Sequence, residues 1–110
     1  MTTLDDLVDI LKDNLNAFKE KYDVQKFGIF GSYALGNQTE SSDVDILVFY
    51  NVKPDWRHFR LNFELEDLLN KKVDLATINS LRENTKKNAL KDVIYIEWLR
   101  GFITIYVGCY

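Results

Sequence analysis

The chain of 110 residues holds one cysteine, one histidine and one proline, and no apolar run that approaches the length needed to span a membrane. A single cysteine, Cys109, excludes an internal disulfide. With His58 as the only histidine, too few soft ligands remain for a structural zinc site. A reducing cytoplasm is the expected compartment. The acidic start, Met-Thr-Thr-Leu-Asp-Asp, lacks the basic-then-apolar pattern of a signal segment, so no membrane contact is expected. Positive charge is also scarce: 14 Lys and Arg stand against 17 Asp and Glu, for a net charge of −3. That balance excludes the basic footprint of a protein that grips nucleic acid through its phosphates.

Hydrophobic residues make up 46 per cent of the chain, enough for the core of one domain spanning 1–110. Leu4, Leu7, Val8, Leu11, Leu15 and Phe18 recur at helical spacing, and Thr3 with Asp6 resembles a capping box, so an amphipathic helix opens the chain. Its acids, Asp5, Asp6 and Asp9, read as a solvated face near the positive end of the helix dipole. Val24 to Phe30 reads as a short strand running into Gly31. Ser32 to Leu35 can make one helical turn closed by Gly36, and Val44 to Tyr50, apolar on both faces, reads as an interior strand. After Pro54, residues Trp56 to Leu69 predict a second helix with Leu61, Leu65, Leu68 and Leu69 inward, and Lys71 to Thr77 predicts a third strand. From Leu81 onward, Ala89, Leu90, Val93, Ile94, Ile96 and Trp98 predict a last helix, broken near Asp92. Residues 101–110 form an apolar tail. Its run from Phe102 to Val107, uncharged and β-prone, is either a final strand or core segment of this domain, or a surface that meets a partner or makes a homo-oligomer with a second copy.

The stretch from Gly31 to Asp45, Gly-Ser-Tyr-Ala-Leu-Gly-Asn-Gln-Thr-Glu-Ser-Ser-Asp-Val-Asp, carries the chemistry. At Gly31 and Ser32 a backbone with little side-chain bulk and one hydroxyl can approach a phosphate closely. Asp43 and Asp45, one residue apart at the start of a strand, point from the same face. Two such oxygen donors suit Mg2+, which takes one or two carboxylates along with waters and substrate phosphate oxygens. Asp74 is the anomaly of the third strand: a carboxylate among apolar residues needs either a cation or the sheet's edge. Taken singly, Gly31-Ser32 is equally a strand-to-helix turn and Asp43 equally a turn residue. Their combination is more specific than either.

This combination resembles the signature of the DNA polymerase β-like nucleotidyltransferase superfamily: Gly-Ser, a short helical turn ending in Gly, Asp-x-Asp at a strand start, and a third acid on a later strand. Gly31, Ser32, Gly36, Asp43, Asp45 and Asp74 match it. The short chain and the wording Gly-Ser-x-Ala-x-Gly-x5-Ser-Asp-x-Asp are most similar to the minimal nucleotidyltransferases, the small antitoxins paired with HEPN-domain toxins. The resemblance covers residues 24 to about 99. It implies an α+β fold, a small mixed sheet of three or more strands flanked by helices. It also implies a metal-dependent enzyme that moves an NMP, AMP from ATP in the first instance, to a hydroxyl of a partner protein, a tyrosine of a HEPN toxin. In that reading Asp43 and Asp45 bind two Mg2+ ions, Asp74 binds one of them and helps the acceptor lose its proton, and Gly31 and Ser32 hold the β- and γ-phosphates of ATP or another NTP.

One position departs from the pattern. Leu35 stands where the family commonly has Arg, which bears on substrate contact and catalytic efficiency. It favours a second function, a binding module, catalytically weakened, that neutralises its partner by contact; a third is transfer to a small molecule with a helper subunit. His58, between Arg57 and Arg60, reads as a surface or packing residue. Tyr33 and Tyr95 read as packing aromatics, and Lys86, Lys87 and Lys91 as a solvated helix face.

Overall fold

The structure is a computed structural model and describes residues 2–109, the side chains of Asn88 and Ala89 excepted. The chain opens with helix α1 (Leu4–Tyr22), closed at its start by the expected capping box. There the Thr3 amide donates to Asp6 Oδ2 at 2.9 Å and the Asp6 amide donates to Thr3 Oγ1 at 3.2 Å. Strand β1 (Val24–Phe30), the one-turn helix α2 (Ser32–Leu35), strand β2 (Val44–Tyr50), helix α3 (Arg57–Leu69) and strand β3 (Val73–Ala76) follow. A 3-10 turn (Ile78–Ser80), helix α4 (Glu83–Ala89) and the strands β4 (Val93–Leu99) and β5 (Phe102–Gly108) complete it. The strands form one mixed sheet in the order β3-β2-β1-β4-β5, parallel only between β2 and β3.

Alternation along the strands divides the core in two. Val44, Ile46 and Val48 of β2, with Phe27 and Ile29 of β1, meet Leu7, Leu11, Leu15 and Phe18 of α1 and Leu61, Leu65 and Leu69 of α3. The opposite face carries a smaller cluster of Phe30, Leu47, Ala76, Leu90, Val93 and Tyr95. Burial of these side chains is the main drive for docking the helices. On α3, Leu68 is 39% exposed and lies off the inward stripe, contrary to expectation, because residues 61, 65 and 69 already fill the buried face.

The last helix expected from Leu81 onward is corrected. Helix α4 is short, ending at Ala89, whose side chain lies outside the described residues, and Val93–Leu99 is a strand. Its apolar positions belong to two sheet faces: Ile94, Ile96 and Trp98 face α1, while Val93 and Tyr95 face the other cluster. Arg100 and Gly101, at φ 53 and φ 83, turn the chain in two residues and bring the tail back as β5. Positive φ at both positions is the hairpin geometry whose twist matches that of its strands. The tail is thus a final strand of this domain's sheet, at its edge.

Candidate active site

Gly31 follows β1 and caps α2 with φ 71 and ψ −147, and a Cβ at this position would lie 2.1 Å from Asp45 Oδ2. The Asp45 carboxylate is thus packed directly against the glycine backbone. The ladders place the next groups: Phe30, beside Gly31, pairs with Asp45, and Asp45 pairs with Asp74. A glycine turn and two carboxylates therefore stand side by side on three adjacent strands. Asp43 precedes β2 by one residue and is exposed, as is Asp74, while Asp45 is partly buried. By strand alternation Asp45 and Asp74 share the face of Leu47 and Ala76, opposite α1 and α3.

The electrostatics follow from this crowding. Asp45 is pushed up from 3.8 to about 6, first by burial and then by the negative charges of Asp74 and Asp43. Like charges so placed oppose one another until a cation or a proton joins them. Of the two conditions expected for Asp74, a cation or the sheet's edge, the edge is met: β3 is an edge strand and Asp74 is solvent-exposed. The β2–β3 register places it beside Asp45.

Helix α3 fixes the strand that carries Asp74. Glu66 Oε2 accepts the Val73 amide at 3.0 Å, and His58 Nε2 donates to the Leu75 carbonyl at 3.2 Å, so the residues on both sides of Asp74 are held. Because a carbonyl only accepts, the proton of the neutral ring is on Nε2, and Nδ1 accepts from the Tyr50 hydroxyl at 2.8 Å. Burial raises the Tyr50 phenol to about 12, so it stays a donor. His58 is a packing residue as expected, but its link to Asp74 was not foreseen. Nothing in the local sequence pairs position 58 or 66 with a strand several residues later. On the other side, Lys71 Nζ donates to the Glu40 carbonyl at 2.8 Å, tying the loop before Asp43 to the start of β3.

Among the described residues no three His, Cys, Asp or Glu side chains close into a ready metal-binding group. The donor chemistry nevertheless fits a hard cation, with carboxylate oxygens in mutual repulsion on an open surface. Mg2+ completes its shell from water and phosphate more than from protein. Gly31 and Ser32 lie at the junction of β1 and α2, where the Ser32 carbonyl accepts the Asn37 amide at 3.1 Å and closes the turn. A groove of about 180 Å³ lies at the far end of β2, lined by Phe49, Tyr50, Thr77 and Ile78 among others, and the carboxylates stand outside it.

Residues 11–96 match the nucleotidyltransferase domain family. The chain belongs to that family. A candidate protein adenylyltransferase of Methanocaldococcus jannaschii is 43% identical over 98 residues, 87% of this chain and 100% of that protein. The protein adenylyltransferase MntA of Thermococcus cleftensis is 38% identical over 97 residues, 87% of this chain and 98% of that one. Among solved structures, a minimal nucleotidyltransferase superposes with TM-score 0.67 and 28% identity over 84% of this chain and 95% of that one. A Shewanella oneidensis MNT antitoxin in complex with a tri-AMPylated HEPN toxin shows the same fold, with TM-score 0.51 and 22% identity over 82% of this chain and 65% of that one. The five-stranded sheet with flanking helices is thus a minimal nucleotidyltransferase fold, and the chain is a nucleotidyltransferase of the adenylyltransferase kind. No helix among the described residues is long and apolar enough to cross a membrane.

Proposed function

We propose that this nucleotidyltransferase moves AMP from ATP to a tyrosine hydroxyl of a partner HEPN-domain toxin and so acts as its antitoxin. The observation that carries the reading is the Asp45 carboxylate, packed against Gly31, paired in register with Asp74 and raised to about 6 by burial and then by its neighbouring carboxylates. The names of the adenylyltransferase relatives support AMP as the transferred group, and the toxin as acceptor rests on the resemblance to the minimal family.

In this reaction an acceptor oxygen attacks the α-phosphorus, a new O–P bond forms, and the bond to the pyrophosphate oxygen breaks. Gly31 holds the β- and γ-phosphates by its backbone N–H, and Ser32 by N–H and hydroxyl. Asp74, exposed at the sheet's edge, takes the proton of the incoming hydroxyl. Asp43, Asp45 and Asp74 would hold Mg2+, which when bound supplies charge stabilisation at the attacking and leaving oxygens. The open placement of the carboxylates suits an acceptor presented by another protein.

A second reading, neutralisation by contact with weakened catalysis, draws on one observation: Leu35 is 67% exposed beside the glycine turn. The two separate when the protein is incubated with Mg2+, each labelled nucleoside triphosphate and the HEPN partner. Label entering the partner from ATP, and lost with Asp43→Ala/Asp45→Ala, is the expected result. No label from any nucleotide, with inhibition of the toxin unchanged in the double variant, would establish contact neutralisation instead.

A further inference from the structure

The two edges of the sheet differ in how they are finished. On β3 two of the outward backbone groups are occupied, the Val73 amide by Glu66 and the Leu75 carbonyl by His58. Charged Lys71, Lys72 and Asp74 flank or interrupt that edge as well. On β5 none of these devices is present. Its seven residues, Phe-Ile-Thr-Ile-Tyr-Val-Gly, contain no charge and no proline, and among the described residues β5 pairs with β4 alone. An edge of this kind is a template for another strand.

The hairpin fixes which groups point outward. Leu99 and Phe102 close a two-residue turn and so form a hydrogen-bonded pair, and pairing alternates from there. Phe102, Thr104, Tyr106 and Gly108 therefore turn their N–H and C=O to β4, while Ile103, Ile105 and Val107 turn theirs to the open side. We infer that β5 pairs antiparallel with β5 of a second copy about a two-fold axis at Ile105, joining two sheets into one of ten strands.

The strand is self-complementary in that register. Ile105 meets Ile105 of the second copy, and Ile103 meets Val107 in both directions. Each is a hydrogen-bonded pair made by backbone groups left over from β4. The same register covers side chains that the single chain leaves in water: Ile105 is 43% exposed and Val107 63%. On the other face Phe102, 76% exposed, comes opposite Gly108, which has no side chain to oppose it. No charged residue of β5 faces its copy, so nothing in the strand resists the pairing. This is an isologous interface, in which the same patch serves both subunits. It stands apart from the carboxylate site, two strands away across β1 and β4.

Sedimentation equilibrium of the full chain at roughly 100 μM, above the dissociation constants of small interfaces, reads the proposal directly. The expected mass is twice 12.9 kDa, falling to 12.9 kDa with Ile105→Lys. Amide exchange on the wild type needs no variant: dilution should speed exchange at Ile103, Ile105 and Val107 and leave Phe102, Thr104 and Tyr106 unchanged. A monomer at that concentration, a dimer that persists in Ile105→Lys, or exchange without the alternation would each overturn the proposal. Protection of this edge only when another protein is added would overturn it too, in favour of that protein's strand.

Discussion

Gly31 is held to its identity twice over. Its backbone, at φ 71 and ψ −147, lies in a region essentially reserved for glycine, and any Cβ would strike the Asp45 carboxylate. Gly31→Ala should therefore cost about 2 kcal/mol or more in urea unfolding and abolish transfer, since the strain is relieved only by moving Asp45. Wild-type stability in that variant would mean that the close approach is not a constraint. At Asp45 the sign of the linkage is the reverse of the usual one. The folded state, with a value of about 6, binds a proton more tightly than the unfolded chain at 3.8. Stability of the metal-free protein should then fall as pH rises from about 4 to about 6 and stay low above that window. Asp45→Asn removes the penalty. Discounted for solvent screening, it should gain about 1 kcal/mol at neutral pH, seen as a rise of a few degrees in Tm, and no advantage near pH 4. Equal melting curves across that range would contradict the raised value at Asp45 that burial and its neighbouring acids give it.

Between elements, α3 is what holds β3 in place. Glu66 and His58 grip the residues either side of Asp74, so Glu66→Ala and His58→Ala should each lower kcat by about tenfold or more, with KM for ATP little changed. Thr3→Ala, at the start of α1, serves as the contrast. It should cost about 1 kcal/mol of stability through the lost cap and leave kcat alone. Elements whose signals are local were legible in the sequence: the capping box, the α1 stripe, the run from Val24 to Gly31, and β2 with apolar side chains on both faces. Strand β4 was not. Leu90, Val93 and Ile94 fit helical spacing, and the decisive facts, that β1 needs a neighbour and that Arg100-Gly101 turns the chain, lie outside that window. The alternation Val93, Tyr95, Glu97 against Ile94, Ile96, Trp98 was present but was masked by apolar residues on both faces.

Across the whole molecule, the sheet order explains what one strand cannot. Asp43 and Asp45 were readable as a pair because alternation is a local property. Asp74 was found by its oddity and by resemblance, and it lies exposed on an edge, one of the two settings such a carboxylate requires. The parallel β2–β3 ladder sets it beside Asp45. Sheet order also leaves the two edges unequal, one clasped by α3 and one open, a difference that no composition reveals. The candidate site lies on the face and strands nearest the clasped edge, so the proposed substrate would meet the more firmly held part of the sheet.

In the proposed reaction the carboxylates beside Gly31 serve the transfer of AMP to a protein acceptor. The most direct measurement is the intact mass and peptide map of the HEPN partner after incubation with Mg2+ and ATP, using wild type and Asp45→Asn in parallel. A mass gain of one or more AMP units on a partner tyrosine with wild type, and none with Asp45→Asn, is the predicted result. An unmodified partner with both proteins, or equal modification by both, would contradict it.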